Sequence, residues 1–186
     1  LSNTVKEEII LDENEIAKGH EQCNIEEVKP STDHTILAYS VDFTGNETYD
    51  IRLVNLSSGE NLKDIVKGTV GDIEWGIDNE TLFYLTEDQA KRPYKIWRHV
   101  VGTDQQLDEC LFTEEDEMFN AHIEKSKDGR YLFLRSSSKE TTEISYINLN
   151  QTIEPILIQP REKGLKYNVE HLAGNQMIIW TNIDTG

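Results

Sequence analysis

Short apolar and aromatic runs recur along this chain, each bounded by polar turn-forming residues. Examples are "ILAYSVD", "TLFYLTE", "YLFLRSS" and "MIIWTN". Runs of this length, rich in Tyr, Phe, Leu and Ile and flanked by Asp, Asn and Gly, predict β-strands rather than helices. Three longer segments align with one another: "VKPSTDHTILAYSVD", "IEWGIDNETLFYLTE" and "IEKSKDGRYLFLRSS". A fourth, "VEHLAGNQMIIWTN", begins the same pattern. Asp33, Asp78 and Asp128 share one position, taken by Gly174 in the fourth segment; Leu37, Leu82, Leu132 and Ile178 share another. Val28, Ile73, Ile123 and Val169 keep a common register ahead of them, and Tyr49, Tyr94 and Ile144 keep one downstream. The repeating unit is therefore a module of about 45–50 residues, not one recurring tripeptide.

Each module reads as a short strand ("DIEW"), a tight turn ("IDNE", "KDGR"), an apolar strand, a polar loop, a third strand ("YKIWRHVV", "TEISYINL") and a weaker fourth ("ECLFTE", "PILIQP"). Four antiparallel strands in about 45 residues make a β-propeller blade. An evenly spaced β-sandwich is the competing architecture, but a register kept across three modules favours the propeller. The expected fold is all-β: a partial N-terminal propeller domain over 1–186, with blade-like repeats at 28–66, 73–113, 123–159 and 169–186. Only "LDENEIAKGHEQ" carries a helical signal, with Asp12 or Asn14 as cap and Gly19 as stop. "SSSKETT", Ser136 to Thr142, reads as a hairpin loop. Three blades and the start of a fourth do not close a ring, so the natural protein is expected to be longer.

Charge narrows the choice of partners. Lys and Arg number 18 against 35 Asp and Glu, a formal net charge of −17. Such a surface repels nucleic acid and anionic membranes and steers basic ligands toward it. Cys23 and Cys110 show no CxxC spacing, so neither a disulfide framework nor a zinc site is expected, and a reducing, cytoplasmic compartment fits. Sequons at Asn46, Asn55, Asn79 and Asn150 read as coincidence. No apolar run is long enough to span a bilayer.

Motifs for chemistry are missing: there is no G-x-S-x-G elbow, H-E-x-x-H, P-loop or G-x-G-x-x-G. His20, His34, His99, His122 and His171 lack metal-ligand spacing and read as structural or solvent-facing. No catalytic residue, cofactor or metal site is expected. One constellation stands out. Glu74, Glu124 and Glu170 hold the same slot in successive modules, with Lys29 in the first. If the first strand of each module is innermost, these carboxylates line a central tunnel and favour cationic peptides. The plainer reading is a solvated Glu in an alternating strand.

"AKRPYKIWRHVVGTDQ", 90–105, crowds five basic residues around Tyr94 and Trp97 in an otherwise acidic chain. The repeat makes it the third strand of the second blade, opened by Pro93. A strand sandwiched between blades carries bulky groups on both faces, which accounts for Trp97 directly beside Ile96. Its cations are expected to pair with surplus carboxylates rather than bind a ligand.

"LAYSVDFTGNETYDIRLVNLSSGE" (37–60), "DIEWGIDNETLFYLTEDQAKRPYKIWRHVVGTDQ" (72–105) and "QPREKGLKYNVEH" (159–171) resemble the propeller of the oligopeptidase B branch of the prolyl oligopeptidase family of serine peptidases. The likeness runs from "EEIILDENEIAKG" over nearly the whole chain. It implies a seven-bladed propeller joined to a C-terminal α/β-hydrolase domain that holds a Ser-Asp-His triad and cleaves short peptides after Lys or Arg. The propeller caps the active site and excludes folded proteins. No residue here matches a triad position, so this chain is expected to be inactive alone. Family members open and close through polar interdomain contacts, for which Glu87, Asp88 and Arg92 are candidates. The implied partners are the hydrolase domain and basic oligopeptides. The alternative is a free-standing protein-interaction propeller, or a truncated remnant with no function of its own.

Overall fold

In the computed structural model, which describes residues 7–151, 153–172, 174 and 176–183, the modules fold as successive antiparallel sheets. The first blade consists of β1 (Asn24–Pro30), β2 (Ile36–Asp42), β3 (Tyr49–Asn55) and β4 (Asn61–Thr69). The second holds β5 (Ile73–Trp75), β6 (Thr81–Glu87), β7 (Pro93–Val100) and β8 (Glu109–Thr113). The third holds β9 (Asn120–Lys125), β10 (Tyr131–Ser137), β11 (Thr142–Asn148) and β12 (Ile156–Gln159). A two-stranded sheet follows, β13 (Tyr167–Leu172) with β14 (Gln176–Thr181). Each strand pairs with its sequence neighbour, the meander expected of propeller blades.

The repeated Asp builds the first turn of each complete blade. Asp33 accepts from the Thr35 backbone N–H at 3.1 Å and the Ser31 hydroxyl at 2.7 Å. Asp78 accepts from the Thr81 backbone at 2.9 Å and hydroxyl at 2.7 Å. Asp128 accepts from the Ser126 hydroxyl at 2.7 Å. These bonds replace backbone pairing at the reversal. The next residue is left-handed each time: His34, Asn79 and Gly129 have φ of 58°, 60° and 74°. Gly174, in the Asp slot, itself has φ of 84°.

Blades stack through apolar clusters. Ala38, Ile51, Leu53 and Val66 of the first blade meet Ile73, Trp75, Leu82 and Tyr84 of the second. Phe83, Leu85 and Ile96 meet Ala121, Leu132, Leu134 and Ile147 of the third. Tyr131, Phe133 and Ile144 meet Leu165, Tyr167 and Val169. Neighbouring residues of β7 face opposite ways: Ile96 lies in the second interface, while Trp97 packs against the first. This is why the strand lacks simple alternation.

Some details differ from the sequence pattern. β1 starts at Asn24, ahead of the repeat's Val28, because an irregularity between Ile25 and Val28 breaks its periodicity. The "SSSKETT" loop is shorter than expected, since Ser136 pairs with Glu143 and Ser137 with Thr142. The helical signal yields one turn, α1 (Glu13–Ile16), capped by Asp12 through the Asn14 backbone N–H at 2.9 Å. Around it, Leu11 and Ile16 pack against Leu37, Tyr39, Val41 and Val54 of the first blade.

Candidate functional site

The repeated Glu slot lies on β5, β9 and β13, each the first strand of its sheet. Glu74 is 7% exposed, and its Oε1 lies 2.8 Å from the Lys29 ammonium on β1. The same oxygen accepts the Lys125 backbone N–H at 3.2 Å. Lys29 also pairs with Glu27 at 2.9 Å, and the Lys125 ammonium donates to the Trp75 carbonyl at 3.0 Å. Opposite charges thus bridge the first two blades, and the third joins through Lys125. Burial alone would lower the Lys29 pKa, but its bonds to Glu74 and Glu27 outweigh this and raise it. Lys125 has no such pair: burial pulls its pKa down, and Lys29's charge adds to the effect against Glu74. Asp72 is pushed up by burial and then by Glu27.

The other two glutamates have different surroundings. The Glu124 side chain is 68% exposed, with Arg135 at 3.5 Å. Glu170 accepts from the backbone N–H groups of His171 at 2.9 Å and Lys127 at 3.3 Å. Equal sequence positions therefore carry one ion-paired, one solvated and one backbone-bonded carboxylate.

Glu87, Asp88 and Arg92 surround the β6–β7 hairpin and are engaged within the chain. Glu87 accepts from the Lys91 ammonium and, at 3.2 Å, from the Thr48 hydroxyl of the first blade. Asp88 accepts from the Ala90 backbone N–H at 2.8 Å and from Arg92 Nε at 2.9 Å. Arg92 Nη1 donates to the carbonyls of Glu114, Asp116 and Phe119 at 3.2, 3.3 and 2.9 Å. The guanidinium thereby fixes the crossover from β8 to β9.

Arg161 grips that crossover from the other side. Its Nη2 lies 2.8 Å from Glu114 Oε2 and 2.9 Å from Glu143 Oε1. Its guanidinium sits 4.1 Å above the Phe119 ring, a cation–π contact. The Ser136 hydroxyl donates to Glu114 as well. Burial would raise the Glu114 pKa, but Arg161 and Ser136 outweigh it and lower it. The segments "RPYKIWRH" and "QPREKG" therefore contribute the two arginines that clamp 114–119. Sequence reasoning found both segments but missed Glu114 and Glu143, whose pairing depends on how blades stack.

Two buried histidines join carboxylate networks. His99 Nδ1 lies 2.7 Å from Asp108, whose other oxygen accepts from the Tyr84 hydroxyl at 2.8 Å. His171 Nδ1 lies 2.7 Å from Asp128, joining β13 to the first turn of the third blade. Of the other basic residues in the 90–105 stretch, Arg98 approaches Glu109 at 3.5 Å, while Lys95 lies over the Tyr94 and Trp97 rings. Among the described residues no group of His, Cys, Asp or Glu is placed to hold a metal ion. Nor is any helix among them long and apolar enough to cross a membrane.

Consecutive four-stranded meanders, stacked face to face and laced by charges, define a β-propeller domain. The family model described as the prolyl oligopeptidase N-terminal beta-propeller domain matches residues 1–186, and the chain belongs to that family. It is 36% identical over 176 residues to Protease 2 of Moraxella lacunata, covering 93% of this chain and 26% of that protein. It is 32% identical over 182 residues to dipeptidyl aminopeptidase BI of Pseudoxanthomonas mexicana, covering 96% and 25%. Among solved structures, oligopeptidase B from Leishmania major superposes with a TM-score of 0.92 at 38% identity, over 95% of this chain and 25% of that one. Oligopeptidase B from Trypanosoma brucei, in a closed form with covalently bound antipain, gives 0.90 at 37% identity, over 98% and 26%. The chain spans about a quarter of the length of these relatives.

Proposed function

We propose that this chain is the non-catalytic propeller segment of an oligopeptidase B-like serine endopeptidase. In that role it caps the active site of a C-terminal α/β-hydrolase domain and gates the entry of short peptides cleaved after Lys or Arg. The observation that carries the reading is the match to two oligopeptidase B structures at TM-scores of 0.92 and 0.90 over nearly the whole chain. The net charge of −17 supports a preference for basic peptides. The catalytic triad belongs to the hydrolase domain, so the 186-residue chain alone turns over no peptide. A cytoplasmic location fits its two free cysteines.

Within this reading Glu74, Glu124 and Glu170 line the peptide's path unequally. Glu124 is the most available to an incoming cation, Glu170 is intermediate, and Glu74 is largely neutralised by Lys29. Arg92 and Asp88 support any interdomain contact by holding the crossover in place, with Glu87 anchoring the same hairpin. Exposed charges are screened beyond about 10 Å at 0.1 M salt, so the carboxylates act mainly on encounter rate.

The test uses the full-length protein, with Glu124→Gln and Glu170→Gln combined. At low ionic strength kcat/KM for an Arg-containing peptide should fall about two- to fivefold, and the difference should fade with salt. An uncharged analogue should be unaffected. Equal loss for both peptides, or no loss, would sink the gating role; absence of any Arg- or Lys-directed cleavage would sink the peptidase reading itself.

A further inference from the structure

A cleft of about 450 Å³ opens between the third and fourth blades, beside the β10–β11 hairpin. Arg135, Ser137 and Thr142 line it from the third blade; Lys166, Asn168 and Trp180 line it from the chain that follows. The module register makes the cleft unusual. Arg135 occupies the slot that Leu85 fills in the second blade, and Leu85 is fully buried in the apolar interface with the third. Where the previous interface is sealed by a Leu, this one carries a guanidinium.

The cations here are only weakly compensated. Among the described residues Arg135 has one carboxylate partner, Glu124, at 3.5 Å, the limit of a hydrogen bond, and that Glu is mostly in solvent. The Lys166 ammonium donates to a neutral acceptor, the Lys139 carbonyl, at 2.9 Å. Desolvation and then Arg135's charge lower the His122 pKa. In a chain of net charge −17, a cleft with two cations, hydroxyls and two amides is a local inversion of sign. Donors converging on one concavity suit a compact oxyanion, and Trp180 supplies an apolar wall beside it.

We propose that this cleft binds the C-terminal carboxylate of a short peptide, with Arg135 as principal contact and Lys166 as second cation. The proposal rests on the peptide-handling function above and deepens it: it gives a reason to prefer short peptides with a free end, because an internal peptide bond offers no anion. A basic peptide would then meet acidic groups through its side chains and this cleft through its terminus.

Binding of an N-acetyl tripeptide is measured by calorimetry on the full-length protein with its active-site serine covalently blocked, as the free acid and as the C-terminal amide. The acid should bind about tenfold more tightly, the difference expected of one charge-assisted contact. Arg135→Gln should abolish the preference, and Arg135→Lys should restore part of it. Lys166→Gln, whose side chain holds only a surface carbonyl, should reduce it independently should Arg135→Gln prove misfolded. Inorganic phosphate should compete with the acid peptide. Equal binding of acid and amide overturns the proposal, as does an acid preference that survives both Gln variants. Binding of phosphate without the acid peptide overturns the peptide assignment. Because this readout needs no catalysis, loss of the acid preference is distinguishable from failure of the peptidase reading, which shows in turnover alone.

Discussion

Replacing Arg161 with Ala would remove the outer clamp on the β8–β9 crossover. The Glu114 side chain is only 3% exposed, whereas Arg161 is 30% exposed. Breaking a fully buried ion pair costs about 3–5 kcal/mol because one charge is stranded. Here the penalty is smaller, since Glu114 keeps its bonds to the Ser136 hydroxyl and the Asp116 backbone N–H, and the guanidinium is partly solvated. Adding the lost contact with Phe119, worth about 0.5–1 kcal/mol at a partly exposed site, gives about 2–3 kcal/mol. For a chain of this size that lowers Tm by roughly 4–12 °C. Urea unfolding at pH 7 measures the loss, and Arg161→Met, which keeps the stem over Phe119, should recover a fraction. The pH dependence gives a second check. Glu114 has a lowered pKa in the folded chain, so its stabilising contribution is present above its unfolded pKa and is lost as pH falls through the folded value. Arg161→Ala should flatten that acid limb. A change below about 0.5 kcal/mol, the range of an ordinary surface substitution, together with an unaltered acid limb, would refute the clamp.

Two further substitutions probe the blade stack. Trp75→Ala should cost about 3–5 kcal/mol in denaturant unfolding, because the ring is 1% exposed between the first two blades. Trp75→Phe should mainly forfeit the indole bond to the Lys29 carbonyl, about 1 kcal/mol. Asn79→Val places a β-branched residue at φ of 60° and should cost at least about 1–2 kcal/mol, while Asn79→Gly should cost less; the same unfolding assay decides.

The repeat was legible because blade strands and their Asp turns are local: the side chain of Asp78 bonds within its own hairpin. Strand identity, meander order and the fate of the basic stretch all follow from that register. The charge partners were not legible. Lys29 and Glu74 sit 45 residues apart and Glu114 and Arg161 47, and each pair meets only when blades stack. The Glu slot shows the limit most clearly. One sequence position is paired with a lysine on β5, open to water on β9 and bonded to backbone on β13. Periodicity identifies the strand face but not what the adjoining blade brings to it.

Lys91 and Arg92 are adjacent, yet they pull in opposite directions around the arc. Lys91 reaches back to the Asn46 carbonyl and the Thr48 hydroxyl of the first blade, at 2.9 and 2.7 Å. Arg92 reaches forward to the carbonyls leading into the third. One hairpin therefore acts as a two-sided coupler, so that loosening the middle blade releases both neighbours. Cooperativity between blades is carried here by a pair of neighbouring cations bonded to neutral oxygens, as well as by the apolar interfaces.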